Sequence, residues 1–328
     1  MNVVILSART GWHTDELSRA LAERGHTGRL LPYERLRARL GTDRDAKADL
    51  SSDSVSILDA DAVFARIIPS GSLEQIIFRV DVLHWIEERG VLVMNSPRAI
   101  ERAVDKFYTT ALLQEAGLPT PETVVCEGMD EAMTTIRAML DGGSDVVVKP
   151  IFGSMGHGLV RLSDPDVAFR VLRSLEQTRP VYYLQRAIEH GGRDIRVFVA
   201  GGRVVGAIER WAADGDWRTN VARGASARPF TLPADWESHA VAAAAAVGAD
   251  YAGVDLLPAR DGTVFVLEVN AIPGWQGLQR ATGIDVAGSI VELLERRAAE
   301  NRSDRAQRAV DDRRNRLRRA KLAAEFPA

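Results

Sequence analysis

The chain has 328 residues, 46% of them hydrophobic and 27% charged, enough to fill a large core, so two or three lobes are expected and disorder of the whole is excluded. The longest nearly unbroken small apolar stretch, Ala240 to Ala249, is ten residues, about half of the roughly 20 that a bilayer span needs, so a membrane protein is excluded. The formal net charge of −3 conceals an asymmetry: residues 296–328 hold 11 Lys or Arg against 5 Asp or Glu, a surplus of +6 that leaves −9 for the remainder. The tail is a separate electrostatic object.

In chain order, Val3–Ala8 reads as a first strand rather than a signal peptide, because no basic residue precedes its short apolar run, and a cytoplasmic location is expected. Leu17, Ala20, Leu21 and Ala22 mark a helix ending at Gly25, followed by Leu30-Leu31 and a polar loop to about Ser54. Ala62–Ile68 is a second strand, Leu73–Arg89 a helix and Val91–Met94 a third strand, so residues 1–97 form one α/β lobe. A helix from about Ala99 to Ala116 opens the middle lobe, and strand Thr123–Cys126, helix Asp130–Leu140 and strand Asp145–Lys149 follow. Beyond them lie Leu159–Leu162, helix Asp166–Leu175 and strand Val181–Gln185. A hairpin joins Ile195–Ala200 to Val204–Trp211, another joins Ala252–Leu257 to Val264–Val269, and a Gly-punctuated loop leads to helix Ile290–Arg297. The expected domains are 1–97, 98–184, 185–297 and a basic helical tail, 298–328.

Cys126 is the only cysteine, so no intrachain disulfide and no CxxC metal or redox pair exists, and the thiol reads as a buried strand residue. Only Lys47, Lys106, Lys149 and Lys321 are lysines among 42 basic residues, which makes each lysine informative by its rarity. No GxGxxG follows the first strand. Gly153 to Gly158 has the glycine spacing of a phosphate loop, but Leu159-Val160 stands where Lys-Ser or Lys-Thr would be required. HExxH and GxSxG are absent, which leaves zinc proteolysis and serine hydrolysis without support.

Three groups of polar residues remain. Strand 146–149 runs into Gly153, Ser154, Gly156 and Gly158, whose N–H groups can turn toward an anion with Lys149 supplying charge; a tight hairpin with a snorkelling lysine explains the same residues. In the hairpin 252–270, a turn centred near residue 261 places Asp255 roughly opposite Glu268, with Asn270 two residues on. Two facing carboxylates in apolar strands repel unless a cation lies between them, and hard oxygen ligands without His or Cys suit Mg2+; a register slip would dissolve the set. The arginines and asparagine of 193–196 and 215–224 read equally as a phosphate clamp or a solvated loop.

These residues resemble the ATP-grasp superfamily, and within it the RimK-like amino-acid ligases. The matching stretches, in the family's order, are VDKFYTTALLQEAGLPTP (104–121), VVVKPIFGSMGHG (146–158), LQRAIEHGGRDIRVFV (184–199), DGDWRTNVARGA (214–225), AGVDLL (252–257) and LEVNAIPGWQGL (267–278). The resemblance implies an α/β ATP-grasp fold behind an N-terminal pre-ATP-grasp domain, and ligation in which ATP phosphorylates a carboxylate to an acyl phosphate that an amine then attacks, releasing ADP and phosphate. Position by position it implies Lys106 and Lys149 on the nucleotide phosphates, beside Gly153, Ser154, Gly156 and Gly158. Gln185, Arg186 and Ala187 fall on the strand whose backbone reads adenine, and Asp194 on the ribose or adenine side. Arg218, Thr219 and Asn220 fall near the γ-phosphate, with Arg218 and Asn220 in the catalytic role, and Asp255, Glu268 and Asn270 on Mg2+ or Mn2+.

The sequence departs from the ribosomal-protein glutamate ligases at Leu184 to Ile188, where those usually carry an acidic-aromatic pair, and its loop FGSMGHG resembles more closely ligases of archaeal-type one-carbon cofactors. The expected reaction adds L-glutamate, or a similar amino acid, to a small carboxylated cofactor of pterin or furan type. The alternatives are glutamylation of a protein C-terminus and a nucleotide-binding regulator without turnover. Trp211 and Trp275 read as an aromatic wall for a ring-bearing acceptor or as core residues, and Arg66, near a strand end, as a holder of an acceptor carboxylate. No nucleic-acid or membrane partner is expected, and a homo-oligomer, dimer or tetramer, is.

Overall fold

The computed structural model describes residues 1–41, 49–153, 158–212 and 226–303. They form two compact units, one of Met1–Ser96 with the segment from Ala287 on, the other of Pro97–Val286. The expected sites Ser154, Gly156, Arg218, Thr219 and Asn220, with Lys47 and the tail from residue 304, lie outside the described residues.

In the first unit, β1 (Asn2–Leu6), α1 (Trp12–Glu23) and β2 (Thr27–Leu31) form a βαβ opening. The polar stretch read as a loop contains β3 (Leu36–Arg39), β4 (Asp49–Ser52) and β5 (Val55–Ser56), a small antiparallel sheet. Its strands carry no apolar alternation to reveal them in sequence, and among the region's described residues only Leu50 and Ile57 anchor it with fully buried apolar side chains. β6 (Ala62–Ala65), α2 (Leu73–Glu88) and β7 (Leu92–Met94) complete a parallel sheet of order β2-β1-β6-β7. The near-continuous apolar runs of β1 and β6 fit strands covered on both faces. Ser72 opens α2 with a capping box: its hydroxyl accepts from the Gln75 N–H, and Gln75 Oε1 accepts from the Ser72 N–H. Residues 286–303 are helical, and Glu295 binds both Arg24 and His26.

The second unit opens with α3 (Pro97–Val104) and α4 (Lys106–Glu115), where one helix is expected. Asp105 breaks it: extended in backbone, it caps α4 by accepting from the Tyr108 N–H at 3.0 Å. Then come β8 (Thr123–Cys126), α5 (Met129–Asp141), β9 (Val146–Lys149), β10 (Val160–Leu162), α6 (Pro165–Glu176) and β11 (Tyr182–Arg186). They make a sheet of order β10-β9-β11-β8. Val146, Val148, Tyr182, Leu184 and the buried Cys126 face α5 and α6 in one core, so alternation turns Val147, Lys149, Tyr183 and Gln185 to the other face.

The second sheet of this unit, order β14-β13-β12-β15-β16, is built from β12 (Arg193–Ala200), β13 (Arg203–Trp211), β14 (Ser226–Pro229), β15 (Tyr251–Pro258) and β16 (Val264–Asn270). Between β14 and β15 the alanine-rich run lies in α7 (Ala234–Val247), and after β16 comes α8 (Gln276–Thr282), in a stretch expected to be loop. Small side chains let α7 press closely on the sheet, where Ala240, Ala243, Ala244 and Val247 join Ile195, Val197, Val199, Ala252, Val254 and Leu256. The opposite face carries Asp194, Arg196, Arg210, Gly253 and Asp255. Among the described residues no helix is long and apolar enough to cross a membrane.

Candidate active site

Lys149 ends β9 on the face opposite the α5–α6 core. Its Nζ donates to Gln185 Oε1 at 2.5 Å and lies 5.9 Å from the centre of the Tyr183 ring. Gln185 Nε2 donates in turn to Thr123 Oγ1 at 2.9 Å and Tyr183 Oη at 3.1 Å, and Tyr183 Oη shares a hydrogen bond of 2.8 Å with Thr110. Gln185 is therefore a buried polar side chain with both ends satisfied, and it holds the ammonium by its oxygen. Burial drives the Lys149 pKa from 10.5 down to about 8; the Glu268 charge opposes the shift and Lys106 adds to it.

Lys106, the first residue of α4, donates to the carbonyls of Gly153 at 2.8 Å and Ile151 at 3.4 Å, stapling the helix start to the glycine-rich loop. Its pKa too is lowered by burial, against the charges of Glu268 and Asp105. Both lysines thus respond to one carboxylate on the other sheet. Gly158 has φ 75°, and a Cβ there would stand 3.3 Å from Pro150 Cγ, so the loop's return needs glycine. The N–H groups of Arg186 and Ala187 donate to the carbonyls of Glu122 and Asp145, and the Arg186 side chain pairs with Glu122 at 3.0 Å.

On the second sheet Asp255 pairs with Glu268 and Gly253 with Asn270, so the three oxygen-bearing residues occupy adjoining positions of one hairpin. Asp255 is buried, with Oδ1 at ion-pair distance, 3.1 Å, from Arg196 Nη1 and also from Arg210 Nη2. Neither contact has hydrogen-bond geometry, and Oδ1 is left without such a partner, as is the buried Asn270 Nδ2. The two guanidinium groups supply the neutralising charge for Asp255 that the sequence argument assigned to a metal alone. Asp194 has both oxygens on Arg210, at 2.7 Å and 2.5 Å. Arg196, read in sequence as part of a phosphate clamp or a solvated loop, lies instead beside Asp255, and Arg210 and Tyr183 escaped the sequence reading; only strand alternation with Asp194 and Lys149 marks them.

Among the described residues no three His, Cys, Asp or Glu side chains stand as a metal group. The donor set to be tested is two carboxylates and an amide. Two carboxylates and an amide that carries its own oxygen, at adjoining positions of one hairpin and with Asp255 Oδ1 buried and lacking a hydrogen-bond partner, make a donor set that fits a hard divalent cation taking oxygen ligands. Trp275 is core, edge-on to Phe198 with centroids 6.2 Å apart, whereas Trp211 is 37% exposed, donates to Glu209 and lies beside Arg193.

A RimK-like ATP-grasp domain matches residues 103–294 and a RimK PreATP-grasp domain residues 1–100. The chain is 34% identical over 312 residues to a tetrahydromethanopterin:alpha-L-glutamate ligase of Methanosarcina acetivorans, covering 87% of this chain and 95% of that one. It is 34% identical over 307 residues to a probable alpha-L-glutamate ligase of Aliivibrio fischeri, covering 92% and 98%. The ATP-grasp ligase PsnB, solved with a minimal precursor, Mg and ADP, shares the fold with a TM-score of 0.69 at 22% identity, over 90% of this chain and 98% of that one. With its lysines, glycine-rich loop and acidic hairpin in one unit behind an N-terminal α/β domain, the chain belongs to the RimK-like ATP-grasp family of carbon–nitrogen ligases.

Proposed function

We propose that this chain joins L-glutamate, or a closely similar amino acid, by an amide bond to a small carboxylated cofactor of pterin type, using ATP. The observation that carries the reading is the opposition, within one unit, of Lys106 and Lys149 to the hairpin of Asp255, Glu268 and Asn270: cations for the phosphate chain on one side, oxygen ligands for a divalent cation on the other. The relative that acts on tetrahydromethanopterin, aligned over most of both chains, supports the acceptor class. Mg2+ bound by Asp255, Glu268 and Asn270 would neutralise phosphate charge. The chain's own part is to hold the nucleotide phosphates on Lys106 and Lys149. The family resemblance assigns Arg218 and Asn220 to the transferring phosphoryl group, where a guanidinium stabilises developing charge.

The test is an assay of purified protein with ATP, Mg2+, each amino acid in turn and a reduced pterin carboxylate, scored by nucleotide product and by mass of the acceptor. ADP and phosphate released only when amino acid and acceptor are both present, with the acceptor heavier by one glutamyl residue, is the expected result. AMP as the stoichiometric product would refute the acyl-phosphate route. Turnover with a peptide C-terminus and none with the pterin would move the acceptor to protein.

A further inference from the structure

We propose that Asp194 is a positioning residue for the cation site and not a nucleotide ligand: it locks Arg210 so that this guanidinium, together with Arg196, grips one oxygen of Asp255 and fixes the carboxylate on the face it shares with Glu268. The inference rests on the reading of Asp255 as a metal ligand. Asp194 and Arg210 are opposed across β12 and β13, and both nitrogens of the guanidinium fork, Nε and Nη2, reach the two carboxylate oxygens, at 2.7 Å and 2.5 Å. Each side chain is only 5% exposed. Arg210 Nη2 is also the atom 3.1 Å from Asp255 Oδ1, so the position of one charge is handed directly to the next.

The second grip depends on Gly253. Arg196 Nη1 donates to the Gly253 carbonyl at 3.2 Å, and a Cβ at 253 would lie 2.8 Å from that nitrogen and 3.1 Å from Pro273 Cβ. Glycine two residues before Asp255 thus leaves the seat in which the Arg196 guanidinium lies. The four side chains carry two positive and two negative charges, a balanced row across β13, β12 and β15 that ends where Asp255 meets Glu268 on β16. A carboxylate held through one oxygen by two fixed cations cannot rotate away, and its orientation is set before any metal arrives.

The test uses the full chain, with Mn2+ as an electron paramagnetic resonance probe in the presence of ADP, and calorimetric titration of ADP without metal. Asp194→Asn, nearly isosteric, is expected to weaken Mn2+ binding by about tenfold or more while metal-free ADP affinity stays within about twofold. Arg210→Lys, which keeps the charge and gives up the fork, is expected to do the same, and it carries the test if Asp194→Asn does not fold by thermal melting. Loss of metal-free ADP affinity in Asp194→Asn with Mn2+ binding intact would make Asp194 a nucleotide ligand and overturn the proposal. Wild-type values for both ligands would leave the ion pair purely structural and overturn it too. Asp255→Asn separates the underlying reading: if that variant binds Mn2+ normally, Asp255 is not a ligand, whatever Asp194 does.

Discussion

Lys149 carries a hydrogen bond to Gln185, a ring face from Tyr183 and a distant carboxylate in Glu268, yet no ion pair with it appears among the described residues. Burial therefore lowers its pKa to about 8, and in the window from about 8 to the ordinary lysine value of 10.5 the folded chain binds fewer protons than the unfolded one. Stability then rises with pH through this window, while the charge that would hold a phosphate is lost across it. Two opposite slopes are expected: melting temperature climbing and metal-free ADP affinity falling as pH passes from about 7 to about 9.5. Lys149→Met should reduce both slopes, leaving the smaller share of Lys106, whose pKa is shifted the same way. Lys149→Arg should lose on the order of 10- to 100-fold in kcat/KM, because a planar fork does not fit the single oxygen Gln185 offers. An ADP affinity that does not change across that pH range would remove Lys149 from the phosphate site.

At the scale of elements, the site depends on an irregularity that a two-residue period does not reveal. Strict alternation would put Val264, Val266, Glu268 and Asn270 on one face, and Val264 and Val266 belong to the core against α7. The pairing shifts instead: Leu256 lies opposite Val266 and Asp255 opposite Glu268, so Leu267 is the extra residue of a bulge. Beyond it Val269 enters the core, and Glu268 and Asn270 turn to the face of Asp255. The Asp255–Glu268 pairing was legible because turn residues 259–262 centre the hairpin; the bulge was not, because nothing in Val266-Leu267-Glu268 distinguishes it. The same limit hid the break at Asp105, an N-cap inside an otherwise helical pattern, and with it the reason Lys106 stands at a helix start beside the loop. Inserting one alanine after Leu267 lets the strand run regularly with Val266 and Val269 inward and Glu268 and Asn270 still on the site face, but it moves Glu268 from opposite Asp255 to opposite Gly253, so Mn2+ binding should be abolished. Deleting Leu267 should leave Val266, Glu268, Val269 and Asn270 in phase and be far better tolerated. Equal damage from both changes, by melting and Mn2+ titration, would show that the bulge itself and not the place of Glu268 opposite Asp255 matters.

For the whole molecule, the C-terminal segment divides into a docked part and a charged remainder. Residues 287–303 belong to the first unit: Glu295 accepts from Arg24 Nη2 at 2.6 Å, Asn301 donates to the Gly90 carbonyl at 3.1 Å, and Ile290, Val291 and Leu294 are fully buried. Truncation inside that stretch would expose core, so a test of the tail's charge must cut after Ser303. Residues 304–328 hold 8 Lys or Arg against 4 Asp or Glu, a surplus of +4 against −7 for the rest of the chain. A segment of that charge attracts polyanions over a distance set by the Debye length, ~10 Å at about 0.1 M salt, and raises encounter rates without adding a contact. A glutamate-bearing cofactor is such a polyanion. Removing 304–328 should therefore lower kcat/KM at low salt, by roughly two- to tenfold for acceptors with several carboxylates and less for those with one, and the difference from the full chain should vanish as salt rises. The measurement is kcat/KM against ionic strength for the two chains, with light scattering on each. A deficit that persists unchanged at high salt, or a smaller particle after truncation, would assign the tail to subunit packing, because contacts buried between copies are screened far less than charges facing water.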